Sequence, residues 1–455
     1  MKSEIIVIGG GASGLMAAYS AARTLVNQGV AAQVTVLEKM PRPGRKIMIT
    51  GKGRCNFTNV KDWNEFSGHI RSKSNFVKSA FYGLPSTATV DFFESFGMKT
   101  VVERGDRAFP ASYHSSDVVD TLVNACHSVG VKIETEAEVA QVTGNDGNFS
   151  LTLADGRKYT CRKLIIATGG LSYPGTGSTG DGYGWAQSLG HKIVPTFPCL
   201  TALVPRGYKQ TEDKDLHIDR STPLSELGST LCGNQLKNVQ LSLVIEGNTV
   251  DTEFGDVDFT DGGIEGAIGF QLSRKAVKSM INGSRVGLVL DLKPGVDLTE
   301  LTTRVKELWA EIDKDPRSRR IREKERCRIL LGKLMPWDLI PAFTACNPQI
   351  ITLERKSRTE TKVWINLVSI AKALKEWKFD IAGYVGYERA VVTAGGVDTD
   401  ELVAKTMESR LVPGLYFCGE LMDVDCDTGG YNLQAAFCTG TLAGRSAAIK
   451  LSKEE

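Results

Sequence analysis

The stretch that decides the fold is Glu4-Ile5-Ile6-Val7-Ile8-Gly9-Gly10-Gly11-Ala12-Ser13-Gly14, near the start of the 455-residue sequence. Its apolar run is typical of a parallel strand that is buried on both faces. The Gly-x-Gly-x-x-Gly spacing follows directly, and the alanine-rich pattern up to Gln28 predicts a helix. In such a turn Gly9 permits the tight bend, Gly11 the close approach of a pyrophosphate, and Gly14 the close packing of helix on strand. We therefore expect a dinucleotide at the amino end of this helix.

An acidic residue closes this β-α-β unit. Gln33 to Glu38 predicts a second strand, which ends in the carboxylate of Glu38. A carboxylate at this place accepts hydrogen bonds from the adenosine ribose, each worth about 1.5–3 kcal/mol when one partner is charged. The same negative charge would repel a 2′-phosphate, so that NADP is disfavoured at this site.

Two later segments favour FAD over NAD. Leu164 to Gly170 predicts a strand that ends in Ala-Thr-Gly-Gly, and Gly414 to Glu420 predicts another that ends in Gly-Glu. The segment Thr428 to Ala436 then leads into a helix that begins near residue 430. The positive end of such a helix would stabilise the negative charge around N1 and C2=O of a reduced flavin. Glu420 would hold the ribityl hydroxyls, and FAD would be bound by both ends of the chain.

The sequence resembles the YhiN-like flavoprotein family, the group of FAD-dependent NAD(P) oxidoreductases that includes the BaiN-type bile-acid reductases. It is more distantly similar to the fumarate reductase flavoproteins. The matching stretches cover residues 44–59, 168–183, 391–397 and 405–432, and the similarity spans essentially the whole chain. The resemblance implies an α/β fold, an FAD-binding Rossmann-like domain of the two-dinucleotide-binding-domain type, with an inserted β-barrel and a small helical domain.

The same resemblance implies which residues contact FAD. It points to Arg45 and Lys46, to the loop 51–56, to Glu420, to Asn432-Leu433, and to the backbone of Val139 at the adenine. With the glycine motifs and the strand ends, the predicted cofactor-binding residues are Gly9, Gly11, Ala12, Ser13, Gly14, Glu38, Lys39, Arg45, Lys46, Gly51, Gly53, Arg54, Cys55, Asn56, Val139, Thr168, Gly169, Gly170, Gly419, Glu420, Gly430, Tyr431, Asn432 and Leu433. One departure is Cys426-Asp427, where the family pattern leads us to expect a glycine.

The middle of the chain differs in character from its ends. Prolines at 195, 198 and 205 break the pattern, and short alternating segments such as Val239 to Ile245 predict an antiparallel barrel or sandwich. From Leu298 to Leu334 the pattern becomes helical and highly charged. We therefore predict an FAD-binding domain split in sequence: its first part at 1–194, an inserted antiparallel β domain at 195–297, a small helical part of the insertion at 298–350, and a return to the FAD-binding domain at 351–455.

Several kinds of site are disfavoured. The ten cysteines form no Cys-x-x-Cys pair, and the five histidines are dispersed, so that neither a metal site nor a redox-active dithiol is predicted. No apolar run approaches the roughly 18 residues that cross a bilayer. We expect a cytoplasmic protein without a membrane partner.

Two further patterns resemble functional motifs. Gly175-x-Gly177-x-x-Gly180 fits the dinucleotide spacing, but no strand precedes it and no acidic residue closes a second strand, which favours a loop beside the flavin or substrate. Six arginines between Arg317 and Arg328 form a basic segment. Because Glu323 and Glu325 are interleaved and no aromatic residue accompanies them, we interpret it as a solvated face and expect no nucleic-acid partner.

The predicted activity is transfer of a hydride through flavin N5, with NAD(P)H as donor, to the C=C bond of a small enone-type substrate, such as a steroid- or bile-acid-like ring. Arg54, Tyr173 and Tyr431 are the candidates for binding the carbonyl oxygen or delivering the proton. Three alternatives remain open: a flavin oxidase or monooxygenase, an RNA-modifying flavoenzyme, and a non-catalytic flavin sensor.

Overall fold

The glycine-rich turn joins β1 (Ile5–Ile8) to α1 (Ala12–Asn27), and β2 (Val34–Leu37) follows, in a computed structural model of the chain. Every residue of both strands is buried. This is the pattern of parallel strands covered on both faces, and it explains why their sequences are continuous apolar runs instead of alternating ones.

The structure describes residues 1–145, 147–211, 216–355 and 361–454. They form two units: unit 1 comprises Met1–Pro198 with Val391–Glu455, and unit 2 comprises Cys199–Ala390. The second unit is thus an insertion within the first. The sequence analysis placed the return to the first unit at residue 351, whereas in the structure residues 351–390 belong to unit 2. The reason is that the strand Trp377–Tyr384 pairs within the barrel of that unit.

The helices and strands follow in chain order. The first part of unit 1 continues with helices α2 (Arg45–Ile49), α3 (Trp63–Phe66), α4 (Ser74–Gly83), α5 (Ser86–Ser95), α6 (Ser115–Ser128) and α7 (Asp181–Ser188), and with strands β3 (Thr58–Asn59), β4 (Thr100–Glu103), β5 (Arg107–Pro110), β6 (Lys132–Glu134), β7 (Val139–Asn145), β8 (Asn148–Leu153), β9 (Lys158–Cys161), β10 (Lys163–Ile166) and β11 (Ile193–Cys199).

Unit 2 then contains helices α8 (Glu226–Leu231), α9 (Gly266–Ile281), α10 (Leu298–Lys314), α11 (Glu323–Gly332), α12 (Ile340–Cys346) and α13 (Leu367–Lys375), and strands β12 (Leu203–Pro205), β13 (Gln235–Ile245), β14 (Asn248–Thr260), β15 (Gly263–Glu265), β16 (Val286–Asp291), β17 (Ile351–Arg355), β18 (Thr361–Ile365) and β19 (Trp377–Tyr384). The last part of unit 1 adds β20 (Val392–Val397), β21 (Leu402–Val403), β22 (Glu408–Ser409), β23 (Leu415–Phe417) and α14 (Tyr431–Ser452).

A seven-stranded sheet forms the centre of unit 1. Its order is β21-β22-β23-β10-β1-β2-β6, and the five strands from β23 to β6 run parallel. Counted along the chain, those five follow the order 3-2-1-4-5 that dinucleotide-binding sheets use. The carboxyl ends of β1, β10 and β23 therefore meet at one edge, and each of these strands is followed there by a glycine-containing turn that the sequence analysis assigned to the cofactor.

Helices α1 and α14 pack closely, although they come from opposite ends of the chain. A Cβ atom on Gly440 would lie 2.2 Å from the carbonyl oxygen of Ser13, and one on Gly444 would lie 2.0 Å from that of Ala17. Since neither distance is sterically allowed, glycine is required at both positions. Small residues thus bring the two helix axes together, and α14 completes the core around α1.

Unit 2 is built on a closed antiparallel barrel of six strands in the order β12-β15-β14-β13-β16-β19. This resolves the expectation of a barrel or a sandwich in favour of the barrel. Buried side chains of its strands include Leu241, Phe259, Leu290 and Trp377. The charged segment after Leu298 forms α10 and α11, as the sequence predicted.

A buried histidine joins distant segments of unit 1. His191 is 3% exposed; its Nδ1 lies 3.1 Å from Glu401 Oε2 and its Nε2 lies 2.9 Å from Ser409 Oγ. The Ser409 oxygen also accepts hydrogen bonds from the backbone N–H groups of residues 411 and 412, so that its own proton is available to Nε2. Burial lowers the pKa of His191, with Glu401 opposing the shift.

This histidine makes the stability of unit 1 dependent on pH. The buried site favours the neutral imidazole. The contribution of His191 to the free energy of unfolding is therefore fully present above its ordinary pKa of 6.5 and is lost as the pH falls. Between pH 7 and pH 5 we expect the free energy of unfolding to fall more steeply in the wild type than in His191→Gln, by at most about 1.4 kcal/mol per pH unit. Urea unfolding at several pH values measures both slopes. A His127→Gln variant at an exposed position is the control, and equal slopes for all three proteins would contradict the prediction.

Candidate functional site

The turn between β1 and α1 forms an open anion-binding end. Gly9 has a φ of +104°, and a Cβ there would lie 2.5 Å from the carbonyl oxygen of Ala167; a Cβ on Gly14 would lie 1.9 Å from that of Gly9. At Gly11, by contrast, a Cβ would meet nothing within 4 Å. Helix α1 begins there without a side-chain cap and without an acidic residue in its first turn. Its amino end is therefore accessible to an external anion.

Glu38 is fixed at the end of β2. Its Oε2 accepts a hydrogen bond from the N–H of Gly10 at 2.7 Å, and its Oε1 accepts one from the N–H of Met40 at 2.8 Å. Burial raises the pKa of Glu38, and the two backbone hydrogen bonds oppose that shift. The carboxylate thus lies beside the glycine turn with lone pairs remaining. The neighbouring Lys39 forms an ion pair with Asp181 at 2.6 Å, in the first turn of α7.

Lys46 and Glu420 form the centre of a polar network in unit 1. Lys46 Nζ lies 3.0 Å from Glu420 Oε2 and donates to Ser172 Oγ at 3.1 Å. Glu420 Oε1 accepts hydrogen bonds from Ser172 Oγ at 2.7 Å and from the N–H of Thr393 at 2.8 Å. The Thr393 hydroxyl oxygen in turn accepts from the N–H groups of residues 171 and 172. Four chain segments, all within stretches that the family resemblance singled out, are thereby joined through one carboxylate.

The loop 50–56 has an unusual backbone. Gly51, Lys52, Gly53 and Cys55 all have φ between +53° and +85°. Such conformations cost about 1–3 kcal/mol for a residue other than glycine and persist only where the surroundings enforce them. Cys55 is fully buried, and burial raises the pKa of its thiol to about 12, so that it is not a reactive thiolate.

Two polar oxygens near these segments are buried without a partner. Asn56 Oδ1 and Thr168 Oγ1 have no hydrogen-bond partner within the described part of the chain. Buried polar atoms are normally satisfied, and leaving one unpaired costs about 1–3 kcal/mol. Asn56 Oδ1 would lie 2.8 Å from a Cβ on Gly430, next to the start of α14. An orphaned acceptor at this place is what a bound ligand would satisfy.

Arg54 contacts three side chains that the sequence analysis did not assign to the site. Its Nη2 lies 2.6 Å from Glu103 Oε1, and its guanidinium carbon lies 4.7 Å from the ring centroid of Phe109 and 4.5 Å from that of Tyr113. The Tyr113 hydroxyl donates to the same Glu103 oxygen at 3.0 Å. The Arg54 side chain nevertheless remains 47% exposed.

The turn before α14 is held by its own side chains. Asp427, 2% exposed, accepts from Arg71 Nε and Nη2, both at 2.5 Å, and lies 2.9 Å from His69 Nδ1. Asn432 Oδ1 accepts from the N–H of Cys426, and its Nδ2 donates to the carbonyl oxygens of Cys426 and Asp427. The departure at Cys426-Asp427 from the family pattern therefore has a reason: the aspartate anchors this turn. The polar atoms of the Asn432 side chain are thus used within the turn itself.

The three candidate catalytic residues occupy different environments. Tyr431 is 4% exposed, and its ring stacks on His69 with centroids 4.1 Å apart and packs against Phe66; burial raises its pKa to about 12. Tyr173 is half-buried, with a φ of +51°, at the start of a 3-10 turn (Pro174–Thr176). Arg54 and Tyr173 are thus accessible to a substrate, whereas Tyr431 is part of an aromatic core.

The remaining predicted residues lie on the same unit. Gly170 is constrained by Thr393, whose Oγ1 would lie 2.5 Å from a Cβ there; a Cβ on Gly419 would lie 2.3 Å from Ser13 Oγ. Arg45 is exposed at the start of α2, Leu433 is half-buried in the first turn of α14, and Val139 begins β7 opposite Leu153. The second glycine motif begins within the 3-10 turn (Pro174–Thr176) and does not directly follow a strand, as the sequence indicated.

The described residues contain no group of three or more His, Cys, Asp or Glu side chains that could hold a metal ion. Within the same part of the chain, no helix is both long enough and apolar enough to cross a membrane.

Known proteins are similar to this chain over nearly its whole length. The family profile described as "HI0933-like protein Rossmann domain" matches residues 3–446. The chain is 32% identical to a 3-dehydro-bile acid delta(4,6)-reductase of Clostridium scindens, over 98% of this chain and 99% of that protein. It is 31% identical to a ribosomal RNA dihydrouridine synthase of Haemophilus influenzae, over 96% of each. Among solved structures it is similar to the E. coli quinol fumarate reductase subunit FrdA, with a TM-score of 0.49 and 16% identity over 100% of this chain and 71% of that one.

Proposed function

The chain belongs to the HI0933-like Rossmann-domain family of flavoprotein oxidoreductases, and on this premise we propose that it is an FAD-dependent reductase of carbon–carbon double bonds conjugated to a carbonyl group. The observation that carries the proposal is that unit 1 holds, in the segments of the family resemblance, a dinucleotide turn, unsatisfied polar oxygens and a partly exposed arginine held by a carboxylate. The first two fit the cofactor, and the third fits the substrate.

The residues present fit FAD. The amino end of α1 is open where a pyrophosphate would bind, and Glu38 stands beside it as the acceptor for ribose hydroxyls. Asn56 Oδ1 and Thr168 Oγ1 are orphaned acceptors that hydroxyl or N–H groups of a cofactor would satisfy. Helix α14 has Gly430 as its N-cap residue and no side-chain cap, so that its positive end is available to the flavin. When bound, FAD supplies a hydride from N5.

The chemistry of the relatives supports conjugate reduction. A 3-dehydro-bile acid with a Δ4 or Δ4,6 system carries C=C bonds conjugated to its C3 carbonyl. In uridine the C5=C6 bond is conjugated to the C4 carbonyl, and its saturation gives dihydrouridine. The two activities named for these relatives thus share one requirement: hydride addition at the β-carbon, with negative charge developing on the carbonyl oxygen. A reductase needs a positive or donating group at that oxygen and a proton for the α-carbon.

The chain offers residues for both tasks. Arg54 has a partly exposed guanidinium with several N–H donors, and it would bind the carbonyl oxygen. Tyr173 would deliver the proton. Tyr431, buried against His69, would hold the start of α14 in place and would not reach a substrate. We retain a small, apolar cyclic enone as the first substrate class and NAD(P)H as the electron donor.

An anaerobic titration of the purified flavoprotein tests this function. We expect NADH or NADPH to bleach the flavin absorbance and cyclohex-2-enone, or a steroidal enone, to restore it. Cyclohexanone, which has the same carbonyl but no double bond, is the matched control and should have no effect. Failure of both pyridine nucleotides would contradict the NAD(P)H assignment. Rapid reoxidation by O₂ but by no enone would instead support an oxidase or monooxygenase.

RNA is the second candidate substrate, and a specific surface of unit 2 favours it. The exposed side chains of Arg317, Arg320, Arg322, Lys324 and Arg328 lie along one segment; that of Arg319 lies outside the described residues. The segment itself contains no aromatic residue, but the fold places two tryptophans beside it: Arg326 lies 4.9 Å from the ring of Trp309, and Arg328 lies 5.6 Å from that of Trp337, which is 48% exposed. Cationic and aromatic groups together suit single-stranded RNA.

The two substrate classes are separated in one comparison. If RNA is the substrate, the reduced flavin should be reoxidised by a uridine-containing RNA and not by its dihydrouridine counterpart, and Arg320→Glu with Arg322→Glu should weaken RNA binding in a salt-dependent manner. Reoxidation by cyclic enones alone, with no RNA binding at moderate salt, would exclude this candidate.

A further inference from the structure

We propose that Glu103, Phe109 and Tyr113 are positioning residues that fix the guanidinium of Arg54 as the binding site for a planar oxyanion, the enolate-like oxygen of the reacting substrate. The inference rests on the proposed function for the identity of that oxyanion. Its geometric basis is independent, because the three side chains and the strained loop that presents Arg54 are properties of unit 1 alone.

The contacts of Arg54 fix the orientation of its guanidinium. Arg54 donates to Glu103 at 2.6 Å and lies against two aromatic rings whose centroids are 5.9 Å apart. An arginine presents five N–H donors in one plane, and a carboxylate together with ring contacts fixes that plane. With 47% of the side chain exposed, further donors reach solvent. A fixed cation with available donors binds an anion at a lower entropic cost than a mobile one.

The backbone on both sides of this contact has an unusual conformation. Arg54 stands between Gly53 and Cys55, with φ of +85° and +53°, and Tyr113 has a φ of +57°. Hydrogen bonds hold this geometry: the N–H of Arg54 donates to the carbonyl of Gly51, and that of Tyr113 to the carbonyl of Pro110. Cys55, next to Arg54, and Tyr113 are thus non-glycine residues with strained backbone on the two sides of one contact, which indicates that the surroundings enforce this arrangement.

The charges of Arg54, Arg107 and Glu103 also favour an anion. Glu103 lies between two guanidinium groups, since Arg107 Nη2 is 3.7 Å from its second oxygen. Two positive groups and one carboxylate leave a net charge of +1, so the carboxylate orients Arg54 without neutralising the cluster. The Tyr113 hydroxyl donates to Glu103 and also interacts with the Arg54 guanidinium, which strengthens the orientation. The exposed part of the Arg54 side chain remains accessible to an external oxygen.

The test measures oxyanion binding, without turnover, in the purified holoenzyme. The probe is 4-chlorophenolate, a planar oxyanion that gives a long-wavelength charge-transfer band when it stacks on oxidised flavin. We expect the wild type to show the band, Arg54→Lys to bind the probe at least about 30-fold more weakly, Glu103→Gln about 10-fold and Tyr113→Phe about 3-fold more weakly. Tyr82→Phe, an exposed tyrosine on α4, is the control and should match the wild type.

A merely structural role predicts a different pattern. In that case the FAD content, the thermal midpoint and the phenolate affinity would all fall in Glu103→Gln. Glu103→Asp would restore none of the three. We expect FAD content to be unchanged and Glu103→Asp to recover part of the phenolate affinity. Absence of the band in the wild type, or equal affinity in Arg54→Lys, would overturn the inference. Enone turnover that persists in Arg54→Lys would refute the oxyanion site while leaving the proposed reductase intact. Arg54-dependent phenolate binding without any enone turnover would support the oxyanion site and contradict the proposed reductase.

Discussion

A Gly11→Asp substitution is expected to yield a folded protein that has lost its FAD. A side chain at this position meets nothing within 4 Å, so that the fold can accept it. Gly11 is the residue that caps α1, with a φ of −84° and a ψ of −168°, and aspartate is among the preferred residues for such a position. Its carboxylate would accept the N–H groups at the start of the helix, which are the groups that a pyrophosphate needs.

The expected loss of FAD affinity is at least 100-fold, or about 2.7 kcal/mol, because the new charge both occupies the donors and repels the phosphates. The measurement is the flavin-to-protein absorbance ratio after purification, with a titration of the apoprotein with FAD. Gly184→Asp, at an exposed glycine of α7 where a Cβ also meets nothing within 4 Å, should retain its flavin. The apo form of Gly11→Asp should be as stable as wild-type apoprotein. Full flavin occupancy in this variant would refute the placement of the pyrophosphate.

An Asp427→Ala substitution is expected to be the most destabilising charge removal in unit 1. The carboxylate accepts two hydrogen bonds from Arg71 and contacts His69, and its side chain is only 3% exposed. Removing one partner of a buried ion pair costs about 3–5 kcal/mol. Since the Arg71 side chain is 38% exposed and can recover some hydration, we expect about 3 kcal/mol, measured as the free energy of unfolding in urea.

The control is the exposed pair between Lys73 and Asp400, whose carboxylate side chain is 75% exposed. Asp400→Ala should cost no more than about 1 kcal/mol. We also expect Asp427→Ala to weaken FAD binding, because Asn432 and Tyr431 rest on the same turn at the start of α14. Equal losses in the two variants would show that Asp427 is not an anchor of this turn.

The sequence predicted those parts of the fold in which consecutive residues share one property, such as an unbroken apolar run. The apolar runs at β1, β2 and β10, and the glycines that follow them, determined the central sheet because burial on both faces leaves an unmistakable composition. Residues 39–60 are rich in Gly, Lys and Arg and show no clear period, so that their sequence predicts a long loop. The structure places within them α2 and β3, which are five and two residues long. Elements of that length are too short to show a period.

The side-chain partners could not be predicted in the same way. Lys46 meets Glu420 across more than 370 positions of sequence, and Arg54 meets Glu103 across 49. No local pattern encodes such pairs, because they depend on which strands become neighbours. The error at residues 351–390 has a similar cause: β19 closes the barrel by pairing with β12 and β16, and only that pairing, not its own composition, assigns it to unit 2.

The contact between α1 and α14 has a consequence for biosynthesis. The roughly 400 residues that separate these helices require on the order of 20–80 s of translation at about 5–20 residues per second. During that interval the first β-α-β unit lacks the helix that covers it, and the whole of unit 2 is synthesised before that helix. We therefore expect unit 1 to be completed only after α14 has been synthesised, and a ribosome that stalls before the codon for Gly440 to leave a nascent chain with an uncovered apolar helix, which chaperones and proteases would bind.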